Sequence, residues 1–146
     1  KKKLLVLTLM FATLLAGKMQ FSNPQPTFDN PRKWVINLSS DDKNKVNHIL
    51  NSINNVLKEY PQEAMQVTVV AYSSGMRVLK KDYDPHTLKR ITSLIEYDVE
   101  FIGCKNTMET MDWVENDFID GVEYVQAGIV EAIEKIVEGY IPMTAY

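Results

Sequence analysis

Cysteine occurs once in this chain and histidine only twice, and the formal net charge is −3. A single cysteine cannot close an internal disulfide, and one cysteine with two scattered histidines lacks the spacing of a zinc site. The six glycines form no Gly-rich phosphate loop. A mildly acidic chain also lacks the basic footprint of a nucleic-acid-binding protein. We therefore expect no metal, no organic cofactor and no nucleic-acid partner.

A basic and then apolar segment precedes the rest of the sequence. Three lysines at residues 1–3 are followed by an almost uncharged run over residues 4–16 and by the small residues Ala16 and Gly17. This order is typical of a secretory signal peptide, and the run is shorter than the roughly 20 residues that span a bilayer as a helix. The pattern predicts a signal peptide over residues 1–17 and an exported, periplasmic protein, with membrane attachment only if the leader stays uncleaved.

The remaining sequence divides into a linker and one domain. Residues 18–32 are rich in Pro, Asn, Gln and Ser, as linkers are. Residues 33–146 have the length of a single domain. Within it, short apolar runs at 34–38, 65–71, 99–102 and 122–125 alternate with helical patterns that carry apolar residues on one face. Such alternation predicts an α/β fold, with a mainly parallel sheet of about five strands covered on both faces.

Ligands of parallel sheets bind outside the carboxyl ends of the strands. Three predicted loops meet there, at residues 39–41, 72–75 and 104–107. Cys104 lies in the last of them, where a strand gives way to a helix. The N–H groups of that helix start and the Lys105 cation would both favour the thiolate. An odd cysteine in an exported protein indicates a reactive or intermolecularly paired thiol, whereas a buried, inert cysteine is the plain alternative.

The segment Val99-Glu100-Phe101-Ile102-Gly103-Cys104-Lys105-Asn106-Thr107-Met108 resembles the strand, cysteine and Asn-Thr-Met turn of the DsrE-like (DsrE/DsrF/DsrH) sulfur-relay family. Residues 127–131, 138–142 and, more loosely, 69–72 with Gly75 extend the resemblance over about 33–142. It implies a flavodoxin-like three-layer α/β/α fold, trimers or hexamers, and a cysteine that carries sulfur as a persulfide. Cys104 is the position that would inherit this role.

Two features depart from the family pattern. Many relatives have a His-Gly pair after the second strand, whereas Tyr72-Ser73-Ser74-Gly75 stands here, and the predicted export signal separates this chain from the cytoplasmic relays. The expected function is a sulfur carrier, at most sulfurtransferase-like, with a sulfur donor or acceptor protein as partner. A non-catalytic module that binds a small ligand and an oligomeric structural protein of the same fold remain as alternatives.

Cys104 is the expected sulfur acceptor, and the residues around it are expected to bind the donor. Arg77 is a further candidate, which would attract an anionic donor such as thiosulfate. His48 and His86 lie outside the strand ends, so that neither forms a Cys–His pair with Cys104. The predicted donor-binding residues are Tyr72, Ser73, Ser74, Gly75, Lys105, Asn106 and Thr107.

Overall fold

The computed structural model describes residues 19–146. The predicted signal peptide at residues 1–17 and the first linker residue lie outside the described residues. Residues 19–31 contain no helix or strand, but they contact the domain. The Phe21 ring stacks on Tyr60 with centroids 4.6 Å apart, and Arg32 Nη2 donates to Ser22 O at 2.7 Å.

Five strands and four α-helices form the domain. Their order along the chain is β1 Arg32–Leu38, α1 Lys43–Glu59, β2 Met65–Ala71, α2 Pro85–Glu96, β3 Glu100–Cys104, α3 Lys105–Thr110, β4 Val122–Val125, α4 Gly128–Val137 and β5 Ile141–Pro142. Two 3₁₀ segments, Ser73–Leu79 and Glu115–Asp117, complete the secondary structure of residues 19–146. The second is followed directly by Phe118, whose ring is buried in the core.

The sheet has the strand order β4-β3-β2-β1-β5, and every neighbouring pair is parallel. The chain therefore crosses the sheet in one direction from β1 to β4 and returns over its full width to β5. Right-handed crossovers place helices on opposite faces for opposite directions of travel. Accordingly α1 and α2 pack on one face, and α4 covers the other. The predicted three-layer α/β/α architecture is confirmed.

Capping side chains set the starts of the two longest helices. Asp42 accepts the Lys45 N–H at 3.0 Å, and Asp84 accepts the Thr87 N–H at 3.0 Å, with Pro85 as the first helical residue. These bonds satisfy N–H groups that have no partner within the helix. The α1 helix ends at Glu59, two residues before Pro61, because proline cannot continue a helix.

The α4 helix packs on the sheet through its small residues. Gly128 and Ala132 are buried, whereas Ile129, Ile133 and Val137 are 58%, 51% and 75% exposed. The sequence shows an apolar stripe on this helix, and a large part of that stripe faces away from the sheet.

A polar group joins α4 to the sheet. The Lys135 ammonium lies 3.2 Å from Glu100 Oε2, which also accepts a 2.7 Å hydrogen bond from Thr68 Oγ1. Burial alone would lower the pKa of Lys135, but the hydrogen bond and charge of Glu100 raise it above its usual value. Lys135 is therefore a cation paired with the sheet, and this ion pair links α4 to β3.

Candidate functional site

Cys104 is the last residue of β3 and also the N-cap of α3. Its backbone is extended, as an N-cap requires, but its side chain makes no capping bond. The residue is buried, with 5% of its surface exposed. The thiol therefore lies at the carboxyl edge of the sheet, as the sequence predicts, but beneath the surface.

Two groups hold Cys104 in place. Its backbone N–H donates to the Met76 thioether sulfur at 3.3 Å, and the Cys104 S–H donates to the Gln126 carbonyl oxygen at 3.8 Å. The same Gln126 oxygen accepts the Asn106 N–H at 3.0 Å. The loop after β4 thus anchors both the thiol and the first turn of α3.

The surroundings of the thiol favour its ionised form. Burial raises the pKa of Cys104, but the nearby N–H groups of Gly128 and Thr107, which can donate to a thiolate, oppose this effect. The Thr107 hydroxyl and the Asn106 N–H add to them, and the pKa ends below the ordinary value for cysteine. Hydrogen bonds that stabilise the charged form lower a thiol pKa in this way.

Thr107 connects the thiol to the loop after β2. Its Oγ1 accepts the Ser73 N–H at 3.0 Å. A hydroxyl has one proton to donate, and with the oxygen occupied by Ser73 that proton is free to point towards Cys104. The bond from Ser73 thereby makes Thr107 a better donor to a thiolate, since hydrogen bonds in a chain polarise one another.

The start of α4 lies directly against the thiol. A Cβ atom on Gly128 would come within 3.2 Å of the Cys104 Cβ and 3.4 Å of the Tyr72 Cβ. Glycine at this position lets the first N–H groups of α4 approach Cys104. The thiol therefore lies beside the starts of two helices, whose partial positive charges favour an anion.

A cleft of about 420 Å³ adjoins this site, and we call it the donor cleft. Thr107 is both a wall of the donor cleft and a partner of the thiol. The Arg77 side chain reaches the cleft but also lies 3.3 Å from the Asp41 carboxylate. The walls are formed by Ser73, Ser74, Arg77, Asn106, Thr107, Thr110, Met111 and Trp113.

Not all of the predicted donor-binding residues line the donor cleft. Ser73, Ser74, Asn106 and Thr107 do. Tyr72 instead packs against the apolar cluster between α4 and the sheet, which consists of Val35, Val70, Ala132 and Tyr140. The Lys105 ammonium pairs with Glu115 at 3.5 Å.

Gly75 has a packing role at this edge of the sheet. A Cβ there would come within 1.9 Å of the Leu38 carbonyl oxygen. Only glycine lets the 3₁₀ segment approach the end of β1 this closely. Gly75 therefore does not line the donor cleft, but it positions the 3₁₀ segment that carries Ser73, Ser74 and Arg77.

Three contributors were not singled out from the sequence: Met76, Gln126 and Gly128. Gln126 and Gly128 could have been found from the sequence. Because β4 is parallel to β3, the loop that follows β4 must lie at the same edge of the sheet as Cys104. Met76 gave no such signal, since an apolar residue in a short helical segment predicts only burial. Both histidines are exposed, as expected.

Across residues 19–146, no group of three His, Cys, Asp or Glu side chains is arranged to hold a metal ion. The same part of the chain contains no helix with the length and apolarity needed to span a membrane.

Comparison with known proteins adds a family and a fold. The sequence profile of the DsrE/DsrF/DrsH-like family matches residues 34–144. MTH1491 from Methanobacterium thermoautotrophicum, a protein of unknown function, is 25% identical with a TM-score of 0.71, over 77% of this chain and 97% of that one. The ychN protein from E. coli is 15% identical with a TM-score of 0.65, over 79% and 99% respectively, which shows the fold alone. No curated protein matches the chain.

Proposed function

The chain belongs to the DsrE/DsrF/DrsH-like family, and from this premise we propose that it is a sulfur-relay protein whose Cys104 carries a sulfane sulfur as a persulfide. The observation that carries the proposal is the set of donors around the thiol. N–H groups from α3 and α4 and the Thr107 hydroxyl converge on Cys104 and lower its pKa. A thiolate is the form that attacks sulfur.

The thiol has different hydrogen-bond partners in its two protonation states. The protonated form donates to the Gln126 carbonyl oxygen, whereas a thiolate has no proton to donate and would be repelled by that oxygen. The N–H groups of Gly128 and Thr107 and the Thr107 hydroxyl are the partners suited to the thiolate. We infer that loss of the proton turns the sulfur from Gln126 towards these donors.

The transfer step needs no external oxidant. The Cys104 thiolate attacks the outer sulfur of a donor R–S–S⁻, a new S–S bond forms on Cys104, and the donor S–S bond breaks. The electron pair of the broken bond leaves with the donor as R–S⁻, so atoms and electrons balance. With thiosulfate the leaving group is sulfite. The persulfide anion on Cys104 would then accept the same hydrogen bonds as the thiolate did.

The donor cleft is the proposed entry route for the sulfur donor. Its hydroxyl and amide groups, from Ser73, Ser74 and Asn106, would hold an anionic donor, with Trp113 and Met111 covering an apolar part. Arg77 would contribute only part of its charge because Asp41 shares it.

Intact-mass spectrometry after incubation with polysulfide or thiosulfate tests the proposal. We expect a gain of one sulfur atom that dithiothreitol reverses. Because Cys104 is the only cysteine, the Cys104→Ser protein should show no gain. A matched control is Ser52→Ala, at a half-buried position on α1 away from the donor cleft, which should gain sulfur as the parent does. A parent protein that gains no sulfur, or a Cys104→Ser protein that still does, would refute the carrier function.

We also propose that the protein assembles into homo-oligomers and works after export. The exposed apolar residues of α4 support assembly, because soluble monomers rarely leave contiguous apolar patches uncovered. The same observation favours the alternative of a purely structural oligomer, which the mass measurement distinguishes. The basic and apolar pattern of residues 1–17 supports export, and the mass of the protein recovered from a periplasmic extract would show whether the leader has been removed.

A further inference from the structure

A second cleft, of about 390 Å³, lies at the opposite edge of the sheet from Cys104. It forms where α1 and α2 end and where β2 and β3 begin. The five residues of β3 separate it from the thiol, a length of about 16 Å at the usual rise per residue. This cleft is therefore independent of the proposed sulfur chemistry.

Aromatic rings form part of its wall, and we call it the aromatic cleft. Phe28, Tyr60 and Tyr97 line it. Tyr97 and Phe28 are 76% and 70% exposed, although large aromatic side chains usually lie at least partly buried. Tyr60 is held in place by the stacked ring of Phe21. The rings of Phe28 and Tyr97 are thus accessible to a ligand, and the position of the Tyr60 ring is stabilised by stacking.

The charged residues that line the aromatic cleft are all acidic, although Lys58 lies in the last turn of α1 nearby. Glu63, Glu96 and Asp98 line it, and no lysine or arginine does. None of the three carboxylates forms a salt bridge within residues 19–146. Both α1 and α2 end at this cleft, and helix C-termini carry a partial negative charge that adds to the carboxylates.

We propose that the aromatic cleft binds an organic ammonium ion. The faces of aromatic rings attract cations, and proteins recognise quaternary ammonium groups through aromatic side chains. A neutral apolar ligand fits poorly because it would desolvate carboxylates without pairing them. A bare metal ion fits poorly too, since the carboxylates are not arranged as a metal-binding group among the described residues.

A pair of matched probes tests this ligand class. Choline and 3,3-dimethylbutan-1-ol have nearly the same shape, but only choline carries the charge. In amide NMR titrations of the full chain, choline should shift the signals of residues 60–66 and 96–99. The neutral alcohol should bind on the order of tenfold more weakly, a scale between those of exposed and desolvated cation–π contacts.

Variants then separate the ring from the charge. Tyr97→Phe keeps the ring and should retain choline binding, whereas Tyr97→Leu should weaken it by about three- to tenfold. Asp98→Asn removes one charge and should also weaken binding. Its control is Asp112→Asn, because both aspartates have positive φ, 63° and 55°, and Asp112 lies outside the cleft. Tyr97→Leu and Asp98→Asn are independent tests. If one of the two variants does not fold, the other still tests the proposal.

Three results would overturn the proposal. The first is equal binding of choline and its neutral analogue. The second is a set of shifts that lies outside the aromatic cleft, and the third is the absence of any shift at saturating probe in a folded sample. Loss of sulfur loading in the Cys104→Ser protein has no bearing on this cleft, so the two proposals fail or stand separately.

Discussion

At the scale of single residues, Thr107 has the most specific role proposed for a neighbour of the thiol. Its hydroxyl oxygen is occupied by the Ser73 N–H, and its proton stabilises the Cys104 thiolate. Removing this donor takes away one of the interactions that lower the pKa, while the burial that raises the pKa remains. The balance at Cys104 then shifts towards the thiol.

We expect Thr107→Val to slow alkylation of Cys104 by iodoacetamide at neutral pH by about tenfold, the value of one hydrogen bond to a charged group. A lowered pKa means more thiolate at a given pH, so that the variant's rate profile should move to higher pH. Thr110→Val is the control, because the Thr110 hydroxyl donates to the Asn106 carbonyl oxygen at 2.9 Å and not to the thiol. Identical profiles for the parent protein and Thr107→Val would contradict this role.

The sequence could place Cys104 but not all of its partners. The strand-to-helix junction and the rule for parallel sheets were enough to locate the thiol at the carboxyl edge. Sequence neighbours such as Lys105 were assigned roles by adjacency, yet the Lys105 side chain reaches Glu115. Gly128 comes from a distant segment, and its role depends on how closely α4 packs on the strands.

At the scale of elements, one contact between strand and helix decides whether the donor cleft can form. The 3₁₀ segment Ser73–Leu79 follows β2 and packs against the end of β1 at Gly75. The obstacle to a larger residue is the backbone oxygen of Leu38. Backbone of a buried strand cannot move aside as a flexible side chain can.

Gly75→Ala should therefore destabilise the protein by about 3 kcal/mol, the upper end of the usual cost of overpacking a rigid core. Urea unfolding followed by circular dichroism measures this change. Ser74→Ala, one residue away and exposed, should change the unfolding free energy by less than about 0.5 kcal/mol. A Gly75→Ala protein as stable as the Ser74→Ala protein would show that the segment can relax away from β1.

Helix limits are encoded by local sequence signals, and helix orientation is not. Local signals such as Asp42, Asp84 and Pro85 determine where α1 and α2 begin, so the sequence carries them directly. The face that α4 turns to the sheet depends instead on two non-local facts. Gly128 and Ala132 permit a close approach, and Lys135 is tied to Glu100 across the layer.

At the scale of the whole molecule, the two clefts occupy opposite ends of one sheet. The carboxyl edge gathers helix N-termini around Cys104, and the amino edge gathers the C-termini of α1 and α2 around aromatic rings. Helices that connect parallel strands run antiparallel to those strands. Their N-termini therefore lie at the carboxyl edge of the sheet and their C-termini at the amino edge. The proposed thiolate chemistry and the proposed cation binding thus lie at opposite edges of the sheet, and neither proposal uses the exposed face of α4.

The exposed face of α4 is the surface that we expect to join copies of the chain. Closed symmetric assemblies are the common form of soluble homo-oligomers, and Ile133 lies at 51% exposure among Ile129, Val130, Ile136 and Val137, which are exposed as well. Ile133→Glu places a charge where a partner's apolar surface would exclude water, and burial of an unpaired charge is costly. Because the side chain packs outside the core, the fold itself should persist.

Sedimentation velocity at tens of micromolar, a concentration range in which a micromolar dissociation constant still gives assembly, should show the parent protein as an oligomer. Ile133→Glu should shift it to the monomer while leaving the circular dichroism spectrum unchanged. Ser93→Glu adds the same charge to an exposed position of α2 on the other face of the sheet, and it should sediment like the parent. A monomeric parent, or an Ile133→Glu protein that keeps the parent's mass, would mean that the apolar side chains of α4 do not hold copies of this chain together.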